Sequence, residues 1–215
     1  MTKNNDYSSL FSGRLYEESK NKRSRLYRLL NGIKVEKKKS LKEPTAAQAN
    51  QRLRFGMASA FARQLKEMID IGFFNKRKAM TPMNISTKQI LRDAIIGDYP
   101  LLFIDYKKVI LSNGGLNPLK VQSMLLSTAG NLQLKWGMGV NSPIDDGDDS
   151  LFLFVYNATE EMAFNFPNVA LRSKLELNIQ LPLFNENDDY HFWIFMASAD
   201  RRRVSNSTYF NFSKA

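Results

Sequence analysis

Tyr190-His-Phe-Trp-Ile-Phe-Met196 is an unbroken run of strand-forming residues, and it is one of eight such segments after Tyr99. In these segments hydrophobic residues recur with a period of about two, which is the spacing of side chains on one face of a strand. Turn-rich sequence separates them, so the pattern predicts antiparallel strands in a sandwich or barrel. The other seven predicted strands are Leu101–Ile104, Lys108–Leu111, Leu132–Trp136, Leu151–Tyr156, Met162–Phe166, Lys174–Leu181 and Ser207–Phe212.

Before the strands, residues 44–98 show the periodicity of helices. Thr45 and Gln48 have the spacing of a capping box and predict the start of a long helix, and Gly72 predicts its end. Hydrophobic residues recur every three or four positions between these points and predict a face that packs in the core. That face consists of Leu53, Met57, Ala60, Phe61, Leu65, Met68 and Ile69.

A second helix is predicted to begin at Ser86, with Gln89 three residues later in capping-box spacing, and to end before Gly97. The sequence between the two helices contains the basic stretch Asn75-Lys-Arg-Lys78. Two amphipathic helices in succession predict a helical hairpin, which must pack against another part of the protein to bury its hydrophobic face. The residues that the second helix is expected to bury are Ile90, Leu91, Ala94 and Ile95.

All of the net charge of +10 lies in the first 65 residues, which contain 15 Lys and Arg against 5 Asp and Glu, whereas the remaining 150 residues contain 16 of each. Asn31-Gly32 lies between two strand-like runs and predicts a β-hairpin, because both residues accept the positive φ of a type I′ turn. The flanking sequence is basic and carries too little hydrophobic surface to fold alone. Residues 1–43 are therefore predicted to form a basic arm with a β-hairpin.

The predicted strands resemble those of a fibronectin type III or immunoglobulin-like domain. Leu132–Trp136 resembles the second strand with its buried tryptophan, and Leu181-Pro182 followed by Tyr190 resembles the tyrosine corner. The resemblance implies that the Tyr190 hydroxyl bonds to upstream backbone, and that Ala199–Tyr209 forms the last turn and strand. It also implies three core-facing residues, Phe192, Ile194 and Met196.

The whole chain also resembles an uncharacterised bacterial family, domain of unknown function 6266. The match follows the order of the chain, except that residues 15–28 are charged where the family is usually rich in glycine and valine. The family carries no established activity, so the resemblance implies an architecture and leaves the function open. The matching segments are Leu10–Arg14, Glu43–Gln48, Gln51–Phe61, Ile96–Pro100, Ile104–Val109 and Val204–Tyr209.

Together these patterns predict an α+β protein with three parts. They are a basic N-terminal arm with a β-hairpin (1–43), a helical hairpin (44–98) and a C-terminal antiparallel immunoglobulin- or fibronectin III-like β-sandwich (99–215). No hydrophobic run approaches the roughly 20 residues that span a bilayer, and the N-terminal sequence has no secretory signal. We therefore expect no membrane span, and a location in the cytoplasm or in a virion or other assembly.

Few residues belong to the types that carry catalysis. The absence of cysteine excludes disulfides, thiolate nucleophiles and cysteine-bound metals. The single histidine, His191, is expected on the outer surface of its strand, with no nucleophile near it in sequence. The acidic segments Asp145–Asp149 and Asn185–Asp189 are expected to be solvated turns, with calcium as the alternative for the first. We therefore predict no catalytic residue, no metal and no cofactor.

The basic arm is the predicted attachment segment, and Tyr7, Phe11, Tyr16 and Tyr27 lie among its cations. We expect it to bind protein, by pairing with acidic surfaces or by adding a strand to a neighbour, so that the chain is a non-enzymatic structural subunit of a larger assembly. The alternative is non-specific nucleic-acid binding, in which cations neutralise phosphates and rings stack on bases. A small-molecule or enzymatic role ranks third.

The candidate binding residues lie in the arm and at a predicted hairpin turn near the end of the chain. The arginines of the turn are interpreted either as a second partner contact or as a solvated surface. The residues are Arg14, Lys20, Lys22, Arg23, Arg25, Arg28, Lys34, Lys37, Lys38, Lys39 and Lys42 in the arm, and Arg201, Arg202 and Arg203 at the turn.

Overall fold

The computed structural model describes residues 43–74, 80–138 and 147–212. Contacts divide the chain into two units, Met1–Pro44 and Thr45–Ala215, and the described residues from Thr45 onward belong to the second. The predicted arm, with its Asn31-Gly32 hairpin, lies outside the described residues except for Glu43, so it stays a prediction.

Two helices in succession, α1 (Ala46–Gln64) and α2 (Lys66–Gly72), replace the single long helix of the prediction. The capping box is confirmed: the Thr45 hydroxyl accepts a hydrogen bond from the backbone N–H of Gln48 at 3.3 Å, and Gln48 Oε1 accepts one from the N–H of Thr45 at 3.1 Å. The predicted end at Gly72 is also confirmed. The start and end of this helical segment thus follow from local sequence.

The buried face of α1 and α2 begins later than its periodicity suggested. Phe61, Leu65, Met68 and Ile69 are buried as expected, but Leu53 is 39% exposed. None of the residues from Ala46 to Met57 is buried. Ala60 is also exposed, and the small residues Ala58 and Ala62 are buried instead.

The third helix, α3 (Pro82–Gln89), starts earlier than predicted, and a π-helical turn at Ile90–Ala94 follows it. Its N-cap is Thr81, whose hydroxyl accepts a hydrogen bond from the Asn84 N–H at 3.2 Å, and the prediction of a start at Ser86 is wrong. Pro82 occupies the first helical position, where its missing N–H costs no hydrogen bond. Ile90, Ala94 and Ile95 are buried as expected.

Two short strands, β1 (Ile95–Ile96) and β2 (Phe103–Ile104), form a hairpin after the helices. The predicted strand at Lys108–Leu111 is wrong. A 3-10 turn occupies Tyr106–Lys108, and the N–H of Leu111 donates to the Ser207 hydroxyl at 3.1 Å and not to a strand partner.

Seven strands then form two antiparallel sheets. In one sheet β4 (Asn131–Gly137) lies between β3 (Lys120–Leu126) and β7 (Glu176–Gln180). In the other sheet the order is β6 (Met162–Leu171), β5 (Ser150–Asn157), β8 (Tyr190–Ala197) and β9 (Thr208–Phe212). Six of these strands were predicted, and β3 was missed because polar residues interrupt its hydrophobic pattern.

Strand β8 is buried along its whole length because each of its faces contributes to a different core. Phe192, Ile194 and Met196 pack between the two sheets with Trp136, as expected from the resemblance. The alternate residues of β8 face a second core, in which helical residues such as Phe61 pack against the outer side of the sheet. The unit therefore has three layers: sheet, sheet and helices. The alternate residues in the second core are Trp193, Phe195 and Ala197.

Edge strand β6 has an irregular middle. Its pairing with β5 jumps from Leu151↔Ala170 to Leu153↔Phe166, so the three residues in between do not keep the regular register. Pro167 lies in this segment, and Asn168 has a positive φ of 51°.

Gly72, the last residue of α2, tests how closely this helix approaches the segment at Leu111. A Cβ atom on Gly72 would lie 2.0 Å from the carbonyl oxygen of Leu111, whereas a Cβ on Gly56, in the exposed part of α1, would meet nothing within 4 Å. We expect Gly72→Ala to lower the free energy of unfolding by about 1–3 kcal/mol through overpacking. Gly56→Ala should raise it by about 1 kcal/mol through helix propensity. Chemical denaturation measures both, and a Gly72→Ala variant as stable as wild type would contradict the close approach.

Candidate interaction surface

His191 lies inside the protein and not on its surface, so the expectation of an exposed histidine is wrong. The side chain is 5% exposed because Tyr106 covers the ring, with the ring centroids 4.1 Å apart. Its Nδ1 atom lies 2.7 Å from the Tyr209 hydroxyl, at hydrogen-bond distance. Its Nε2 atom lies 3.2 Å from Oδ2 of Asp189, close enough for an ion pair but without the alignment of a hydrogen bond.

The environment of His191 favours the neutral imidazole. Burial lowers the pKa of His191, and the nearby Asp189 carboxylate offsets only part of that effect. Burial also raises the pKa of Tyr209 to about 12, so the hydroxyl stays protonated. A cavity of about 400 Å³ lies nearby, but Tyr106, Tyr156 and helical residues line it and His191 does not. This cluster therefore joins β8, β9 and the segment around Tyr106 as a structural contact.

The buried histidine predicts a stability that depends on pH. Because the pKa of His191 is lower in the folded than in the unfolded state, the unfolded chain gains protons first as the pH falls below about 6.5. The contribution of neutral His191 to stability is complete above that pH and is lost as the pH falls through the folded pKa. We expect the free energy of unfolding to decrease between pH 7 and pH 5, and to decrease less in His191→Gln. Identical slopes in the two proteins would contradict this assignment.

The acidic loop is partly a buried structure, so the expectation of a fully solvated turn is wrong for Asp149. Its Oδ2 atom lies 3.0 Å from Nε of Arg172, and both side chains are 1% exposed. Arg172 also donates to the carbonyl oxygen of Asn117 at 2.8 Å, and its own carbonyl accepts a 2.8 Å bond from the Trp136 indole. Asp145 and Asp146 lie outside the described residues. Among the residues that the structure describes, no cluster of acidic or histidine side chains could hold a metal ion.

Arg172 was not singled out from the sequence, and its burial predicts a large effect on stability. Arg172→Met would leave the Asp149 carboxylate buried without its cation, which typically costs about 3–5 kcal/mol. The neighbouring Lys174 is exposed, so Lys174→Met is the matched control and should change stability by less than about 0.5 kcal/mol. Equal effects of the two substitutions in thermal or chemical denaturation would show that the pair contributes little.

The candidate binding cations fall into two groups. The eleven in the arm, from Arg14 to Lys42, lie outside the described residues, so protein or nucleic-acid binding by the arm stays a prediction. Arg201, Arg202 and Arg203 are exposed at the turn between β8 and β9. The predicted turn at Asn185–Asp189 is confirmed, with the Asp188 N–H donating to the Asn185 carbonyl at 3.2 Å, but the expectation of a fully solvated segment is wrong for Asp188, which is 6% exposed.

A surface that the sequence analysis did not select lies on the β1–β2 hairpin. Four large hydrophobic side chains within eight residues are exposed: 43% for Ile96, 44% for Tyr99, 70% for Leu101 and 60% for Phe103. Single exposed hydrophobic residues are ordinary, but a cluster usually marks a contact with another molecule. Hydrophobic residues around turn-forming Gly97 and Pro100 were the sequence signal that could have indicated it.

The base of this hairpin is fixed to the rest of the unit. Leu102 is buried between the exposed residues, and the Asp105 N–H donates to the Ala94 carbonyl at 2.7 Å. Arg54 on α1 donates to the Ile95 carbonyl at 3.2 Å. The φ of Gly97 is 91°, and a Cβ there would lie 2.4 Å from the Leu101 carbonyl oxygen, so the turn needs glycine. The exposed residues, hereafter the hairpin surface (Ile96, Tyr99, Leu101, Phe103), are therefore held in place.

The sheets define the class of protein. Two antiparallel sheets of three and four strands enclose a core around a buried tryptophan, Trp136, which is the architecture of fibronectin type III and immunoglobulin-like domains. The Tyr190 hydroxyl accepts a hydrogen bond from the Asn185 N–H at 3.0 Å, so the predicted tyrosine corner is confirmed. The described unit is thus an immunoglobulin-like β-sandwich with helices on one sheet.

The chain belongs to the family of unknown function DUF6266, whose model matches residues 27–211. Among solved structures it is similar to the fn3 domain of human contactin 1, with 11% identity, a TM-score of 0.32, and coverage of 48% of this chain and 83% of that chain. It is also similar to the FN1–FN3 domains of chicken CNTN1, with 9% identity, a TM-score of 0.30, and coverage of 48% and 34%. A comparison with curated proteins finds no match.

Proposed function

We propose that this protein is a non-enzymatic interaction subunit of a larger protein assembly, such as a virion or another multi-subunit particle. The hairpin surface is the observation that carries this proposal. Its four exposed side chains would be costly to leave in water. Two of them, Leu101 and Phe103, are exposed by 60% or more. Large hydrophobic side chains presented from a fixed base are the usual anchors of a protein interface.

The burial of three polar side chains supports the same proposal. His191, Asp149 and Arg172 are each buried in contacts that hold the fold. None of the three lines the cavity beside Tyr106. No helix in the described ranges is long and hydrophobic enough to cross a bilayer. In this proposal the basic arm, residues 1–43, is a second attachment segment whose net charge of +7 favours an acidic protein surface.

Substitution of the hairpin surface tests the proposal. Leu101→Asp combined with Phe103→Asp places two charges where the interface requires hydrophobic anchors, and we expect at least a tenfold loss of the chain from its native complex. The measurement is the fraction of the protein at high mass after gentle lysis of the cells that make it. Leu125→Asp is the control, because Leu125 is 59% exposed on a different element, β3.

Thermal unfolding should show that all three substituted positions tolerate aspartate, since each side chain is exposed. A folded double variant that remains in the complex in the wild-type proportion would refute a role of the hairpin surface. A complex that is lost equally with Leu125→Asp would show that any exposed charge disrupts it, and would equally refute a specific role.

A further inference from the structure

The loop regions at the two ends of β8 differ in charge. The loops at its N-terminal end, residues 157–162 and 181–190, contain five carboxylates and neither Lys nor Arg. The turn after its C-terminal end contains three arginines, Arg201, Arg202 and Arg203, and one carboxylate, Asp200. Asp148 and Asp149 also lie at that end, since the following Ser150 pairs with Ala197, so the basic feature is the turn and not the whole end of the sandwich.

The acidic loop region at the N-terminal end of β8 contains a groove with a cavity volume of about 310 Å³. Phe184 and Tyr190 stack in its wall with ring centroids 5.2 Å apart, and Phe212 forms another part of the wall. Glu186 supplies an exposed carboxylate. Asp188 is 6% exposed, with Oδ2 accepting a 2.7 Å hydrogen bond from Asn157, so it adds negative charge below the surface. These residues (Phe184, Glu186, Asp188, Tyr190 and Phe212) are hereafter the acidic groove.

The chemistry of the acidic groove fits arginine. A guanidinium group can lie flat on an aromatic ring and at the same time bind a carboxylate through two N–H groups. A lysine ammonium is a point charge that keeps its water more strongly and does not stack in this way. The groove therefore favours an arginine-bearing loop over other cations.

The arginine turn is built to present such side chains. The Arg201 N–H donates to the Ser198 carbonyl at 2.7 Å, and the Arg203 N–H donates to the Ser198 hydroxyl at 3.0 Å. The Arg202 N–H donates to Oδ1 of Asp200 at 3.0 Å, and the Arg202 side chain is 80% exposed, with its Nε 3.8 Å from Oδ2 of Asp200. Because the backbone is fixed by three bonds, little backbone entropy is lost when the turn binds.

The turn cannot reach the groove of its own molecule. The eight residues of β8 separate the two, and a strand of this length spans about 25 Å. We propose that the acidic groove binds the Arg201–Arg203 turn of a second copy of this chain, which gives a head-to-tail contact between sandwiches. The inference rests on the proposed function, since it names one contact by which the assembly grows. A head-to-tail contact closes into a ring or continues as a filament.

A charge-swap experiment with the full chain tests this contact. Glu160 is exposed, and its N–H donates at 3.1 Å to Oδ1 of Asn157, the residue that bonds Asp188, so the groove variant is Glu160→Lys with Glu186→Lys. The turn variant is Arg201→Glu with Arg202→Glu. Sedimentation velocity at low salt should show concentration-dependent self-association of the wild type, weakened by added salt. Each variant alone should associate at least about tenfold more weakly, because like charges then face each other.

Mixing the two variants should restore association, because each reversed surface meets its complement. The matched control is Arg52→Glu with Lys107→Glu, which changes the net charge equally with the turn variant and alters exposed cations elsewhere. It should associate like wild type. A monomeric wild type, or a mixture that associates no better than its components, overturns the proposal. The proposal is also overturned if the turn variant associates like wild type while Lys37→Glu/Lys38→Glu loses self-association, because the arm would then be the occupant of the groove.

The charge-swap experiment and the hairpin test can succeed or fail independently of each other. If the native complex is lost in Leu101→Asp/Phe103→Asp while the mixed charge variants fail to associate, the proposed function stands and the head-to-tail contact is wrong. If the mixture associates while the hairpin variant stays in the native complex, the contact stands and the role of the hairpin surface is wrong.

Discussion

Strand β8 must be covered on both faces, and the position of every other element follows from this constraint. Phe192 and Ile194 require the second sheet, and Trp193 and Phe195 require the helices. Each such side chain contributes about 1.5–3 kcal/mol when fully buried, so an uncovered face would remove a large part of a typical domain's stability. The helices are accordingly part of the sandwich unit, whose second core they share with β5 and β8.

Two sets of buried polar contacts hold the layers around β8 together. The Trp193 indole donates to the Val109 carbonyl at 3.0 Å, in the segment that failed to form a predicted strand. The Asp149–Arg172 pair lies at one end of the sandwich, where it also positions the carbonyl that receives the Trp136 indole. Because these groups are committed to the fold, the proposed binding surfaces consist of exposed hydrophobic and charged side chains.

The sequence was informative where a structure depends on neighbouring residues. The capping box at Thr45 and the tyrosine corner at Tyr190 each involve partners within five positions, so local sequence defined them. His191 and Asp149 were misjudged for the opposite reason. Alternation along β8 indicated which side of the sheet His191 faces, but a β-sandwich leaves that side exposed unless another layer covers it. The covering residue, Tyr106, lies 85 positions away in a 3-10 turn, and Arg172 lies 23 positions from Asp149.

The hairpin surface and the acidic groove could not be predicted from the sequence, because they also depend on residues that are brought together by the fold. Leu101 and Phe103 were assigned to a strand whose side chains should alternate between core and solvent. In the structure the strand contains only Phe103 and Ile104, and Leu102 is the buried residue. The acidic groove brings Phe184, Tyr190 and Phe212 together from three parts of the chain. No spacing rule relates those positions before the sheet order is known.

In the proposed assembly, the irregular middle of β6 has a further consequence. An edge strand offers unpaired N–H and C=O groups that can recruit strands from other molecules without limit. Pro167 has no N–H to offer, and the break in register bends this edge away from the flat geometry that such recruitment needs. Copies held at high local concentration are thereby discouraged from aggregating through this edge, which leaves side-chain contacts to decide how they associate.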